Sequence, residues 1–138
     1  MIEVHAYVEV EDTEAGIAFY TAALGLAVRR RLTPRWVELE GASIPIFILG
    51  NRPQSFDAGG VEIAREFTRH GTPVHLDFIV DDLEAWVRRA RHAGAVVERE
   101  EAHDSFRMAN CSDPFGNGFD LIEVAAGGYD AIVAMRLP

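Results

Sequence analysis

Apolar and polar residues alternate along several short stretches of the chain, and each alternation is typical of a half-buried strand. In the first stretch, Val4 to Val10, valine and alanine occupy one face, while His5, Tyr7 and Glu9 occupy the other. Two further segments carry apolar residues at helical spacing, so each predicts an amphipathic helix. The predicted strands are Val4–Val10, Val28–Leu32, Trp36–Glu40, Ile44–Leu49, Val74–Val80, Val96–Arg99, Phe106–Cys111 and Phe119–Val124.

Capping residues set the bounds of the two predicted helices. Asp12 or Thr13 can cap the first helix, and Gly25 is placed to end it. Asp82 can cap the second helix, which Gly94 ends. The predicted element order is therefore β-α-β-β-β, occurring twice, which indicates an α+β fold.

Two segments lack such a pattern. Residues 50–73 hold several glycines and prolines, with one helical turn expected around Val61–Phe67. A stretch this long is interpreted as a linker or a loop over a site. We therefore divide a single domain, residues 1–138, into a first module of about 1–50, a linker of 51–73, a second module of about 74–124 and a tail of 125–138. In the tail, Tyr129–Met135 is expected to dock as a helix or at a subunit interface.

The two halves match each other as an internal repeat. A shift of 70 positions places His5 on His75 and Asp12 on Asp82. Once one residue is removed, the glycines that end the two helices also coincide. Because His5 and His75 then occupy the same place on the first strand of each half, we treat them as a matched pair.

Composition and charge narrow the class of protein. The chain has 138 residues, 49% of them apolar and 25% charged, which favours one globular domain. No apolar run reaches the roughly 20 residues of a membrane span, and we expect a cytoplasmic location. Cys111 is the single cysteine, which excludes an internal disulfide. The net charge of −9 argues against nucleic-acid and anionic-membrane partners and is compatible with a cationic ligand.

The stretch from Asp113 to Glu123 joins turn residues to a β-forming run. Its proline and its Gly-Asn-Gly sequence favour a turn, and the aromatic and branched residues that follow favour a strand. Asp120 is the acid inside that run, and Glu123 points to the opposite face of the strand. A lone strand acid is more often solvent-facing or salt-bridged than functional. Because the chain also carries the matched histidines His5 and His75, we treat Asp120 as a candidate functional residue.

The chain resembles the vicinal oxygen chelate superfamily, which includes glyoxalases, bleomycin-resistance proteins and extradiol dioxygenases. The resemblance covers nearly the whole chain and rests on His5, Phe19-Tyr20, Leu24-Gly25, His75 and the run from Asp113 to Leu121. It implies two tandem βαβββ modules that form a curved mixed sheet around a cup, with the helices outside. It is less specific for activity, because this superfamily hosts lyases, isomerases, dioxygenases and metal-free binders.

The resemblance also implies a metal site on the first and last strands of each module. Two of the positions match His5 and His75, the third falls on Asp120, and the fourth falls at about Phe47, which cannot bind a metal. The implied enzyme would hold Fe²⁺, Zn²⁺, Ni²⁺ or Mn²⁺ as a Lewis acid on vicinal oxygens, or would bind substrate and dioxygen together. Glyoxalase I activity is disfavoured, because the position of an expected arginine falls on Glu9.

The alternative is a metal-free protein that sequesters a small molecule, with the two histidines only lining the cup. Acidic residues would then attract a cationic, partly aromatic ligand, on which Tyr7 and Trp36 would stack. Because sites formed between two chains are common in this superfamily, we also expect a homodimer. The expected ligand-binding residues are Tyr7, Glu9, Trp36, Phe47 and Asp77.

Overall fold

The computed structural model describes residues 1–56 and 59–134. Its strands are β1 (Ala6–Val10), β2 (Ala27–Thr33), β3 (Trp36–Glu40), β4 (Ile46–Gly50), β5 (Gln54–Phe56), β6 (Glu62–Ala64), β7 (Leu76–Ile79), β8 (Val96–Ala102), β9 (Phe106–Ser112) and β10 (Gly118–Val124). Its helices are α1 (Thr13–Leu24), α2 (Leu83–Ala93) and α3 (Gly128–Ala134). None of the helices in these residues is long and apolar enough to cross a membrane.

The strands form two four-stranded mixed sheets, ordered β1-β4-β3-β2 and β7-β10-β9-β8. In each sheet the first and last strands of a module run parallel, and the remaining pairs are antiparallel. We call β1 to β4 with α1 the first module, and β7 to β10 with α2 the second. The two tandem βαβββ modules of the α+β prediction are thereby confirmed, and the sheets form an open cup rather than a closed barrel. The arginine-rich strand β2 lies at a sheet edge.

The internal repeat extends to irregularities of the strands. The pairing of β2 with β3 shifts register between Val28 and Arg30, and the pairing of β8 with β9 shifts between Val97 and Arg99. These two positions are 69 residues apart, the offset that also aligns the glycines ending the helices. A bulge bends and twists its strand locally, so the outer strand of each module is curved at the same place.

Helices α1 and α2 begin and end at the positions that their capping residues predicted. Asp12 and Asp82 each accept a hydrogen bond from the backbone N–H three residues further on. Gly25 and Gly94 end the helices with φ of +66° and +112°. Because side chains disfavour this left-handed region, glycine is the suitable residue at both ends.

One hydrophobic core connects the two modules. Helices α1 and α2 lie side by side, and Arg89 Nε of α2 donates to the carbonyl oxygen of Ala22 in α1 at 2.6 Å. One face of each sheet packs on these helices, and the opposite face remains open toward the cup. Residues buried in this core include Val8, Val10, Ile17, Phe19, Val37, Ile48, Leu83, Val87, Phe119 and Leu121. The cysteine, Cys111, lies in the same core with 1% exposure, and burial raises its pKa to about 12.

Several sequence-based predictions need correction, and among them the strands predicted from Ile44 and Val74 begin two residues later, at Ile46 and Leu76. The helical turn expected around Val61–Phe67 is wrong, because residues Glu62–Ala64 form β6 and pair with β5 as a hairpin. The first strand begins at Ala6 rather than Val4, because its partner β4 begins at Ile46 and the preceding proline has no N–H for the ladder. The tail segment forms the helix α3, although Met135 lies outside the described residues. Its docking at a subunit interface stays a prediction.

Candidate functional site

Four rings form a continuous aromatic surface on the open face of the first module, which we call the aromatic shelf. Tyr7 and Phe47 are register partners on β1 and β4, and their rings stack with centroids 4.8 Å apart. His5 stacks on Phe47 at 5.4 Å, and Trp36 Nε1 donates to the Tyr7 hydroxyl at 3.1 Å. Phe47 is only 5% exposed, whereas Tyr7 is 48% exposed. The shelf therefore presents Tyr7 to a ligand on a packed base of Phe47.

An acid group lies on the open face of the second module. Asp77 and Asp120 are register partners on β7 and β10, so their side chains project to the same face. His75 Nδ1 lies 3.1 Å from Asp77 Oδ1 and 3.6 Å from Asp120 Oδ2. Each residue offers a ligand atom, and these atoms all lie within 4.8 Å of one another. Asn110 Nδ2 donates to Asp120 Oδ1 at 2.6 Å, which fixes that carboxylate.

The electrostatics of the acid group favour a cation. Burial raises the pKa of Asp77, and the nearby charge of Asp120 raises it further, against the opposing effect of His75. Two carboxylates held this close repel each other when both are ionised. A bound cation would relieve that repulsion, so the group is a natural partner for a positively charged ligand or a metal ion.

The shelf and the acid group meet at one cavity. A space of about 410 Å³ lies between the edges of β1 and β7, with His5 and Tyr7 on one side and His75 on the other. A second space of about 350 Å³ includes His75, Asn110 and Asp120. The matched histidines therefore face one groove, which joins the aromatic and acidic parts of the cup.

The metal-ligand set expected from the sequence is divided in this structure. His75 and Asp120 belong to the acid group, and Asp77 completes it. His5 lies in the aromatic shelf instead, with its Nε2 atom 2.6 Å from Glu3 Oε1. Asp77 was expected in the cup only as a ligand-binding residue, because the resemblance assigns the first-strand metal position of the second module to His75.

Glu9 lies on the expected face of β1, but its carboxylate is paired. Arg65, which follows β6, donates to it from Nε at 2.7 Å and from Nη2 at 3.3 Å. Arg69 similarly pairs with Glu98 at 2.9 Å beside the acid group. The sequence assigned no base to the cup, because both arginines lie in the segment without periodicity. Their partners are 56 and 29 residues away, and such long-range pairs leave no local signal.

The Asp-Pro-Phe-Gly-Asn-Gly turn of the second module is hydrogen-bonded to the first module and fixes their relative position. Asp113, only 5% exposed, accepts hydrogen bonds from the Tyr20 hydroxyl at 2.5 Å and from the backbone N–H groups of Phe115 and Asn117. Asn117 Nδ2 also donates to the carbonyl oxygen of Glu9 in β1 at 3.0 Å. The turn thus binds both the helix and the first strand of the other module, and it fixes the aromatic shelf relative to the acid group.

The sequence and structure resemble known proteins over most of the chain. The family model of the glyoxalase-like domain matches residues 5–122. The anthracycline biosynthesis protein DnrV of Streptomyces peucetius is 35% identical over 124 residues, covering 88% of this chain. The match covers 42% of that protein, so the chain spans about two fifths of the length of this curated relative.

Solved structures share the fold at low sequence identity. The fosfomycin resistance protein FosX of Listeria monocytogenes aligns with a TM-score of 0.68 at 17% identity, covering 91% of this chain and 97% of its own. A glyoxalase/bleomycin resistance protein/dioxygenase from Nocardioides aligns at 0.67 and 18% identity, covering 93% and 86%. A lactoylglutathione lyase from Agrobacterium tumefaciens aligns at 0.64 and 19% identity, covering 89% and 92%. At these identities the likeness extends to the fold alone.

Proposed function

The chain belongs to the glyoxalase-like domain family of the vicinal oxygen chelate superfamily, and from this premise we propose that it is a small-molecule-binding domain whose cup takes a flat aromatic cation. The observation that carries this proposal is that His5 and Tyr7 of the aromatic shelf line the same cavity as His75 of the acid group. In this cavity a flat ring system would lie against Tyr7, whose hydroxyl contacts Trp36. Its positive charge would lie toward His75 and the neighbouring carboxylates of Asp77 and Asp120. Stacking and cation attraction would both contribute to affinity.

The name of the curated relative agrees with a ligand of this shape. That protein of Streptomyces peucetius is named for anthracycline biosynthesis. The flat fused rings of an anthracycline would suit the shelf, and an amino substituent would suit the acid group. We therefore propose polycyclic aromatic amines as the ligand class of this chain, held without covalent change.

The first experiment uses proflavine, a flat aromatic cation, and the fluorescence of tryptophan. The chain has two tryptophans, so Trp86→Phe leaves only Trp36, and Trp36→Phe leaves only Trp86. We expect proflavine to quench Trp36 strongly and Trp86 weakly. Equal quenching in the two variants, or none, would contradict a ligand seated on the shelf.

A matched pair of charge variants tests the role of the acid group. Asp120→Asn should weaken proflavine binding about tenfold, equivalent to 1.4 kcal/mol, because it removes a carboxylate from the cup. Glu123→Gln is the control, since Glu123 lies three residues along the same strand and contacts the N-terminus of α2 instead. Equal loss in both variants would show that only the overall negative charge matters.

A second candidate function is favoured by one observation, the convergence of three ligand atoms in the acid group. One imidazole and two carboxylates suit a divalent ion such as Fe²⁺, Zn²⁺, Ni²⁺ or Mn²⁺. His75, Asp77 and Asp120 would hold that ion. Bound there, it would supply Lewis acidity toward vicinal oxygens of a substrate. The protein would position that substrate with the aromatic shelf and exclude water by covering it.

Metal analysis of untagged protein tests this candidate and discriminates between two ligand sets. The acid group predicts that Asp77→Asn loses the metal and that His5→Ala retains it. The set expected from the sequence, His5, His75 and Asp120, predicts the reverse. Protein with no bound divalent metal after incubation with each ion would leave only the metal-free binder.

A further inference from the structure

Strand β7 is an edge strand with unpaired backbone groups. Val80 N donates to the carbonyl oxygen of Ile122 at 2.8 Å, and Phe78 is the register partner of Leu121. In a parallel ladder, alternate residues turn both backbone groups toward the same neighbour, so Asp77 and Ile79 turn theirs away from β10. Within residues 1–56 and 59–134, no group hydrogen-bonds to the backbone of Asp77 or Ile79.

A cavity of about 380 Å³ lies along this edge. Four consecutive residues of the β7 segment, Asp77 to Val80, line it. Side chains of consecutive strand residues point to opposite faces, so the cavity follows the edge of the strand rather than either face. Small residues, Gly41, Ala42 and Ser43, stand across from the strand and leave room for another chain segment. The remaining wall is apolar and consists of Leu24, Leu26 and Trp86.

The charged residue that lines this cavity indicates the sign of the charge that a ligand would carry. Among the described residues that line it, Asp77 is the one with a charged side chain. Ile79, beside it, is 55% exposed, so an apolar side chain already faces solvent there. A ligand would therefore combine a positive charge for Asp77 with an apolar group for Ile79 and Trp86.

The groove is longer than a single cavity. The space of about 410 Å³ between β1 and β7 is lined by Val74, His75, Leu76 and Phe78, so the two spaces meet at Phe78. Together they follow the chain from Val74 to Val80. At roughly 3.3 Å per residue, this edge is about 20 Å long and would accommodate five or six residues of an extended chain.

We propose that the edge of β7 binds a short cationic peptide segment in an extended conformation, which adds to the second sheet as a fifth strand. The N–H and C=O groups of Asp77 and Ile79 would bond to the backbone of the peptide. A basic side chain would pair with Asp77, and an apolar side chain would pack against Trp86. This function goes beyond small-molecule binding, and the two ligands would compete, because both would use the space between β1 and β7.

The test uses a five-residue peptide of alternating valine and lysine, acetylated and amidated at its ends, and calorimetry with the unaltered protein. Two N-methylated forms are compared, one methylated on one alternate set of backbone amides and one on the other. In an added strand only one set faces β7. We expect one form to bind at least about tenfold more weakly than the other. Two forms that bind alike, or an unmethylated peptide that does not bind at millimolar concentration, would overturn the proposal.

Tryptophan fluorescence locates the peptide independently of the first proposal. In Trp36→Phe the peptide should change the emission of Trp86, which lines the cavity, whereas in Trp86→Phe the emission of Trp36 should stay constant. Asp77→Asn should weaken the binding of the lysine peptide and leave unchanged the binding of a peptide with serine in place of lysine. A peptide signal from Trp36 alone would overturn the β7 site. Proflavine binding is measured at Trp36, so failure of either proposal leaves the other measurable.

Discussion

Asp113 is a buried carboxylate that receives four hydrogen-bond donors, three from its own turn and one from Tyr20 in the other module. Burial, and then the charge of Asp113, raise the pKa of Tyr20 well above its usual value. The tyrosine hydroxyl consequently stays protonated and remains a donor. Hydrogen bonds to charged groups are among the stronger ones in proteins, so this contact should weigh in the stability of the whole fold.

Tyr20→Phe should lower the free energy of unfolding by about 1–3 kcal/mol, because a buried charged acceptor loses one donor. Urea denaturation followed by circular dichroism measures this loss. Tyr129→Phe is the matched control, since Tyr129 is 57% exposed, and it should change stability by less than about 0.5 kcal/mol. Similar values for the two variants would mean that the Tyr20 hydroxyl adds nothing beyond its ring.

Phe47 occupies the position where the resemblance implies a fourth metal ligand. Phe47→Glu would place a carboxylate in a site that is 5% exposed and packed between His5 and Tyr7. We expect a loss of several kcal/mol, because an unpaired charge would be buried. Leu49→Glu, on the same face of β4 and half-buried, should cost less. A melting temperature unchanged by Phe47→Glu, with tighter metal binding, would instead support a vacant fourth ligand position.

At the scale of elements, the segment before the second module lies tightly over the Gly-Asn-Gly turn. A Cβ atom at Gly116, where φ is +93°, would lie 2.7 Å from the carbonyl oxygen of Thr68. At Gly118 it would lie 2.7 Å from Arg69 Nη2, whose guanidinium pairs with Glu98. These glycines therefore allow the segment to pass close to β10 and to place Arg69 beside the acid group.

Gly116→Ala should destabilise the protein by about 1–3 kcal/mol, because it combines a disfavoured φ with a backbone clash. Gly71→Ala is the control, since nothing lies within 4 Å of a Cβ at that position. Thermal melting compares the two, and hydrogen exchange of the amides of residues 66–70 should accelerate in the first variant alone. Identical melting curves would contradict the close approach.

Glu123 joins β10 to the start of α2, because it accepts hydrogen bonds from the Leu83 N–H at 2.8 Å and from Arg107 at 2.9 Å. These two bonds, the backbone one first, lower the pKa of Glu123 below its ordinary 4.5. A lowered carboxyl pKa contributes stability above the ordinary value, and this contribution is lost as the pH falls through the folded-state value.

Glu123→Gln should therefore destabilise the protein near neutral pH, and its difference from the unaltered chain should shrink as the pH falls below about 4.5. Urea midpoints between pH 3 and 7 measure this trend. Glu84→Gln is the control, because Glu84 is 80% exposed and lies 3.5 Å from the same arginine. A difference that stays constant with pH would assign the effect to packing rather than charge.

At the scale of the whole molecule, we predict a homodimer. The hairpin of β5 and β6 joins neither main sheet, and a two-stranded hairpin by itself is marginal in water. Val61 and Ile63 in this region are 60% and 43% exposed, which leaves apolar surface for a second copy. Light scattering after size exclusion should give about two chain masses at micromolar concentration. One chain mass under these conditions would exclude the dimer, and Ile63→Lys should shift a dimer toward monomer.

Alternation, caps and the repeat predicted both modules, because each signal is local and occurs twice. The sequence did not predict that Asp77 lies beside His75 and Asp120, since this contact depends on the register of β7 against β10. The ion pair between Glu9 and Arg65 joins residues 56 positions apart. Arg65 directly follows β6, a strand of three residues that is too short to show an alternating pattern. The contacts that the sequence did not predict are therefore those between segments that are distant in the chain and meet over the cup.

The two main sheets share no strand among the described residues, and their modules join through helix packing and one turn. Cutting the chain near Gly71 would therefore break no rung of either four-stranded ladder. Two separately made halves should reassemble when mixed, as complementing fragments do. The histidines and N-caps recur after 70 residues, and the bulges and helix-ending glycines recur after 69. Such a nearly constant offset is what the duplication and fusion of a gene of half this length would leave.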